Sequence, residues 1–265
     1  MRDLKLVDNM IANAKYAEIL DAKINKKAIP RINFTYIHDI DLNKFREAKK
    51  YRNEAVKKTI QIVNENINNI SDDVMDRIFK LMNDSKIYER NVKIKKYNGD
   101  YFIKENILVF KNKKNMYNQC LHLASSEYDF DNNIQYSGFR KTEFNKLPYT
   151  LNDIGIGINE SYTNYQAAKI FGDSIYDINS YEIKIVQKLE KIIGQDVMRK
   201  LYFEHNYNGL INELKKHFRS KDAVNIILCL DYITYCNNSY YPDSKKEELI
   251  DNKKKAINFI IKKAN

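Results

Sequence analysis

The chain of 265 residues has no tryptophan, only 3 prolines, 7 glycines and 3 cysteines. So few breakers exclude collagen-like, proline-rich and glycine-serine linker architectures and favour long helices. No G-x-G-x-x-G or G-x-x-x-x-G-K-[ST] segment occurs, which argues against a glycine-rich phosphate cradle. The cysteines (Cys120, Cys229 and Cys236) are odd in number and form no C-x-x-C, so they point to a reducing, cytoplasmic setting. No apolar run approaches the ~18 residues of a membrane span. The amino terminus lacks the apolar core of a signal peptide.

What is present is charge, tyrosine and enough apolar residues for a core. The hydrophobic fraction is 43% and the formal net charge is +10. Nine of the 45 basic residues are arginine, and acidic residues are interleaved around most lysine clusters. A nucleic-acid footprint favours arginine and one face, so the charge reads first as a solvated surface. Twenty tyrosines read as half-buried core with hydroxyls at the surface. Stacking on single-stranded nucleic acid is the alternative.

The pattern along the chain predicts an α+β, predominantly helical fold in three parts. Residues 1–86 form a helical region: an apolar stripe from Leu4 to Ile24 stopped by Pro30, an extended segment at 32–37, a helix over 42–70, and another opening at Ser71. Residues 87–175 form a core with a small sheet: a hairpin turning at Asn98-Gly99 and a strand at 107–110. A helix over 115–126, a loop over 127–157 and a helix over 159–171 stopped by Gly172 follow. Residues 176–265 are helical, with the last helix opened by a Ser244–Glu247 capping box.

Two segments stand out: Asn118-Gln119-Cys120-Leu121-His122 with Leu123-Ala124-Ser125-Ser126, and Gly157-Ile158-Asn159-Glu160-Ser161-Tyr162-Thr163. Together they resemble the zincin-type metallopeptidases of the gluzincin kind, the broad class of thermolysin and the zinc aminopeptidases, including bacterial members. The resemblance covers roughly residues 90–215. It implies a zincin-like core, with one helix carrying His-Glu-x-x-His and a downstream helix carrying Asn-Glu.

Two histidines at i and i+4 share one helical face and one zinc ion. The downstream glutamate completes the ligand set. The glutamate after the first histidine takes the proton of the metal-bound water. Carried over, the first histidine falls on Asn118 and the general base on Gln119. The second histidine is His122, and the third ligand is Glu160, preceded by Asn159.

Two of the four functional positions are therefore replaced. An asparagine amide is a poor zinc ligand beside imidazole, and glutamine cannot take a proton. Cys120 lies about 200° from Asn118 and His122 around a helix and reads as core. His38, His205 and His217 have no spacing that recruits them.

The resemblance thus implies a vestigial site of Asn118, Gln119, His122 and Glu160, with zinc lost and no cofactor. His122 and Glu160 should approach as an imidazole–carboxylate pair. Asn159 and Tyr162 should neighbour the cleft, with Tyr165 beside them. The function implied is a pseudoenzyme that binds a protein or peptide. The alternatives are a metallopeptidase with a rearranged metal site and a basic nucleic-acid-binding module.

Overall fold

A computed structural model describes residues 4–26, 45–90, 99–110, 113–144, 151–172, 179–239 and 242–263. The described residues are mostly helical, with short strands between residues 45 and 154. Pro30, the segment 32–37 and the Asn98 side of the Asn98-Gly99 turn lie outside the described residues. The chain folds as two compact units, and each draws on all three sequence segments. Unit 1 takes residues 1–38, 140–158 and 208–265; unit 2 takes 39–139 and 159–207.

Unit 2 is built around a sheet of β1 (Phe45–Glu47), β2 (Lys86–Arg90), β3 (Gly99–Phe102) and β4 (Ile107–Phe110), in the order β1-β2-β4-β3. β2 runs parallel to β4 with Tyr88 level with Val109, while β1 pairs antiparallel with β2 and β3 antiparallel with β4. Every β4 residue is buried, the pattern of a central strand covered on both faces. The expected helix over 42–70 is shorter. Strand β1 and a 3-10 turn (Lys49–Tyr51) occupy its start, and the helix itself, α2, is Arg52–Glu65. The β1 backbone pairs with β2, which outweighs a modest helical preference.

Helix α3 (Asp72–Asp84) opens as expected, with Ser71 accepting from the Val74 amide and Asp72 and Asp73 at the positive helix end. Helix α4 (Lys113–Ala124) packs against α2, α3, β3 and β4. Met116, Cys120, Leu121, Leu123 and Ala124 are fully buried. The Cys120 thiol donates to the Ala55 carbonyl of α2 at 3.8 Å, and burial pushes it up to about 12, so it is core and inert.

The expected loop over 127–157 is instead largely strand. β5 (Ser126–Asp129) and β6 (Ile134–Ser137) form a hairpin in unit 2, and β7 (Arg140–Phe144) and β8 (Leu151–Ile154) form another in unit 1. These strands are four or five residues long and mixed polar and apolar, so little periodicity marks them. Asp129 holds the first turn by accepting the Asp131 and Asn132 amides.

Helix α5 (Ile156–Phe171) follows, ending before Gly172 with φ +70°. Its first three residues belong to unit 1 and the rest to unit 2. Unit 2 is completed by α6 (Tyr181–Ile193) and α7 (Gln195–Phe203).

In unit 1, α9 (Ser220–Asn237) packs against α1 (Leu4–Ile24) and α10 (Asp243–Lys262), with α8 (Tyr207–His217) preceding it. Lys253 donates to Asp21 at 2.7 Å. α10 starts after Pro242, with no side-chain cap, so the Ser244–Glu247 capping box does not open it. No helix among the described residues is long and apolar enough to cross a membrane.

Candidate functional site

Helix α4 is apolar on one side and polar on the other. Asn115, Asn118, Gln119 and His122 recur at i, i+3, i+4 and i+7 and so share a face. On α5, Glu160 and Asn164 are also one turn apart.

These faces meet in two rungs. The Asn118 side-chain amide donates to Asn164 Oδ1. One turn further along, His122 Nε2 lies 3.7 Å from Glu160 Oε2. Residue numbers rise along α4 and fall along α5 across the rungs, so the two helices run antiparallel there.

Of the positions the resemblance singles out, His122 and Glu160 therefore come together, with Asn118 one turn away along α4. Asn118 and Gln119 are buried, while the His122 and Glu160 side chains keep 15% and 40% of their surface exposed. At 3.7 Å the imidazole and carboxylate are within ion-pair reach but short of a direct hydrogen bond. Among the described residues, no lysine or arginine pairs with Glu160. Gln119 Oε1 is buried without a hydrogen-bond partner.

Asn159 and Tyr162 flank Glu160 in sequence but serve other contacts. Asn159 is fully buried and accepts the Phe139 amide at 3.2 Å, which fixes the turn after β6. Gly138 in that turn has φ +53°, and a Cβ there would come within 2.3 Å of Asn159 Oδ1. Tyr162 is fully buried, two positions and about 200° from Glu160. Its ring packs against Phe139 and Tyr202, and its hydroxyl donates to Glu190 at 3.0 Å.

Glu190 on α6 also accepts from Tyr165, Gln166 and Lys169 at 3.0–3.2 Å. The stripe 162, 165, 166 and 169 thus binds α5 to one buried carboxylate. Burial and the neighbouring Glu190 charge hold the Tyr162 phenol well above its usual range. Tyr162 and Tyr165 are structural here and do not face the α4 rungs.

Two contributors, Asn164 and Tyr202, had no motif to mark them, and Thr163 closes the Gly157–Thr163 segment without an assigned role. Asn164 follows Glu160 by four residues, so helical spacing alone could have found it. Thr163 shares a hydrogen bond of 2.7 Å with the Tyr202 hydroxyl. Tyr202, on α7, is fully buried, and burial raises its phenol, with the Glu160 charge adding to the rise. Only the fold brings it there.

The other histidines lie apart. His38 is outside the described residues, and His217 is exposed on α8 in unit 1. His205 ends α7 with φ +56°, in the position where glycine is usual, and its Nε2 is 3.7 Å from Glu127 Oε2. The Asn206 amide donates to Leu201 and the His205 amide to Tyr202, the paired bonds of a Schellman ending.

Among the described residues, no three histidine, cysteine, aspartate or glutamate side chains converge to hold a metal ion. The motif positions offer one imidazole and one carboxylate, with the Asn118 amide already bonded to Asn164. That donor set does not match the three protein ligands of a catalytic zinc site. No family model, curated protein or solved structure matches the chain.

Proposed function

We propose that the chain is a catalytically degenerate relative of the zinc metallopeptidases, in which the paired faces of α4 and α5 bind a protein or peptide. The observation that carries this is the antiparallel register: Asn118 with Asn164, and His122 with Glu160, one turn apart. A sequence match of two short segments predicts nothing about their mutual distance unless both belong to one site. Here residues 38 positions apart in sequence lie 3.7 Å apart in space.

The chemistry of the replacements then argues against zinc hydrolysis. Gln119 has no group that takes a proton from water at neutral pH. The Asn118 amide is neutral and already engaged. What remains is a partly exposed pair beside buried polar groups, which suits recognition better than bond cleavage.

Restoring the motif tests this reading. Asn118→His together with Gln119→Glu recreates His-Glu-x-x-His ahead of Glu160. The restored chain should hold about one zinc per chain, while the natural chain holds far less. Failure of a folded double variant to take up zinc would count against a metallopeptidase ancestry for this site. Stoichiometric zinc in the natural chain would favour a rearranged, active site. Salt-dependent binding of nucleic acid by the natural chain, with no peptide binding, would favour the basic-module alternative.

A further inference from the structure

Helix α10 is segregated by charge. Its acidic residues, Asp243, Glu247, Glu248 and Asp251, all stand in its first half, and none lies between Asn252 and Lys263. The second half presents exposed Lys255, Phe259, Lys262 and Lys263, which recur at i, i+4, i+7 and i+8 and so share a face. Phe259 keeps 60% of its surface exposed, with the Lys263 ammonium 3.9 Å from its ring centroid. Among the described residues of unit 1, no other large apolar side chain is exposed.

The fold adds to this face. Lys246 donates to the Asn237 carbonyl at 3.4 Å, and the Lys253 ammonium lies 4.7 Å from the Tyr232 ring centroid, so α9 and α10 run antiparallel. Ile257, Ile260 and Ile261 are buried, so the packing continues along α10 and brings its last turns beside the first turns of α9. There, exposed Lys221 on α9 and exposed Lys215 on the last turn of α8 add two more ammonium groups. The carboxylates at this end are already engaged: Glu213 pairs with Lys216 and Asp222 with Arg219, at 2.7 Å each. Lys215, Lys221, Lys255, Lys262 and Lys263 have no ion-pair partner among the described residues. Helix dipoles account for cations in or just past a last turn, as at Lys215, Lys262 and Lys263. They disfavour Lys221 in the first turn of α9, and they give no reason for an exposed phenylalanine.

We infer that this basic end of unit 1 docks on an anionic lipid surface. Charge complementarity selects a polyanion. The unpaired cations are all lysine, and the one arginine there is tied to Asp222. Point charges on flexible stems suit a diffuse layer of headgroup charge, whereas phosphate recognition on nucleic acid favours the bidentate fork of arginine. Phe259, set among the ammonium groups, supplies the apolar side chain that enters the headgroup boundary. The inference does not depend on the peptide-binding reading of α4 and α5.

The test is co-sedimentation of the full chain with two kinds of vesicle: phosphatidylcholine alone, and phosphatidylcholine with about 30% phosphatidylserine. The inference predicts partitioning roughly tenfold or more tighter onto the anionic vesicles, weakening as salt is raised. Lys255→Gln, Lys262→Gln and Lys263→Gln together should lower that partitioning roughly tenfold or more. Lys184→Gln, Lys188→Gln and Lys191→Gln remove the same charge from exposed positions of α6 in unit 2 and should change it by less than about twofold. Phe259→Ser should weaken binding and leave its salt dependence in place. Thermal unfolding checks that each variant is folded. Equal partitioning onto the two kinds of vesicle would overturn the inference. Equal losses in the two triple variants would overturn it as well, by reducing it to net charge. Absence of vesicle binding would overturn it too, and salt-dependent binding of a single-stranded oligonucleotide, lost in the α10 triple variant, would then give this end to nucleic acid.

Discussion

Asn118 donates its side-chain amide to Asn164 one turn from the point where His122 faces Glu160. Where the proposed metallopeptidase kinship would place a metal ligand, this chain holds a neutral cross-link between helices. Breaking it from one side leaves a polar group without its partner in a part-buried site. Asn118→Leu or Asn164→Leu should each cost on the order of 1–3 kcal/mol. The double variant should cost less than the two singles added together, and chemical denaturation of all four chains measures the coupling.

Glu190 is the second fixture of α5, accepting from Tyr162, Tyr165, Gln166 and Lys169. Its removal strands two buried donors, the part-buried Tyr165 hydroxyl and a partly buried ammonium. Glu190→Ala should destabilise unit 2 by roughly 3 kcal/mol or more. Tyr162→Phe, which removes one hydroxyl, should cost only about 1 kcal/mol. Comparable losses in the two variants would contradict the hub role of Glu190.

Asp231 on α9 caps the amino end of α5, accepting the Gly155 and Gly157 amides at 2.8 Å each. Complete burial pushes its carboxyl up to about 7, even though the two amides favour the charged form. The folded chain therefore binds more protons at this group than the unfolded chain between about pH 4 and 7. Its contribution to stability is full at low pH and is lost as pH rises through 7. Unfolding titrations from pH 5 to 8 should show this decline, and Asp231→Asn should flatten it.

His205 acts in the opposite direction. Burial and the Arg77 charge hold its imidazole well below the usual range. Stability from this group is present above about pH 6.5 and is lost as pH falls toward its folded value. His205→Asn keeps a residue that tolerates the left-handed backbone and removes the titration. The acid-side loss of stability should then shrink, as read from midpoints between pH 4.5 and 6.5.

Gly157 allows close approach of the first turn of α5 to α9. A Cβ there would come within 2.3–2.7 Å of Leu230 and Asp231 backbone atoms, none of which is a flexible side-chain end. Gly157→Ala should therefore destabilise by about 1–3 kcal/mol or more although alanine is the better helix former. A stabilised variant would show that the backbone can separate freely.

Strong periodicity and caps made much of the helical frame legible. The helix over Leu4–Ile24, Ser71 before α3, and Gly172 after α5 all stand where the sequence pattern places them. Strands β5 to β8 were not legible, because four- and five-residue segments such as Arg140–Phe144 alternate too little to be told from loop. The β1 residues carry no strand signal of their own, because their pairing with β2 is a long-range contact that local preference does not contain.

The site divides in the same way. His122 and Glu160 were legible by spacing, and Asn164 lay within reach of the same helical rule. Tyr202 was not legible, since only the packing of α7 brings its hydroxyl to Thr163. Tyr162 was misleading by adjacency: two residues along a helix point to opposite sides, and its hydroxyl is held by Glu190.

The most direct measurement is metal content by mass spectrometry on chain purified without chelator or histidine tag, beside Glu160→Ala. The account predicts no stoichiometric zinc in either protein. About one zinc per natural chain, lost in Glu160→Ala, would contradict it and make this a working metal site with ligands beyond His122 and Glu160.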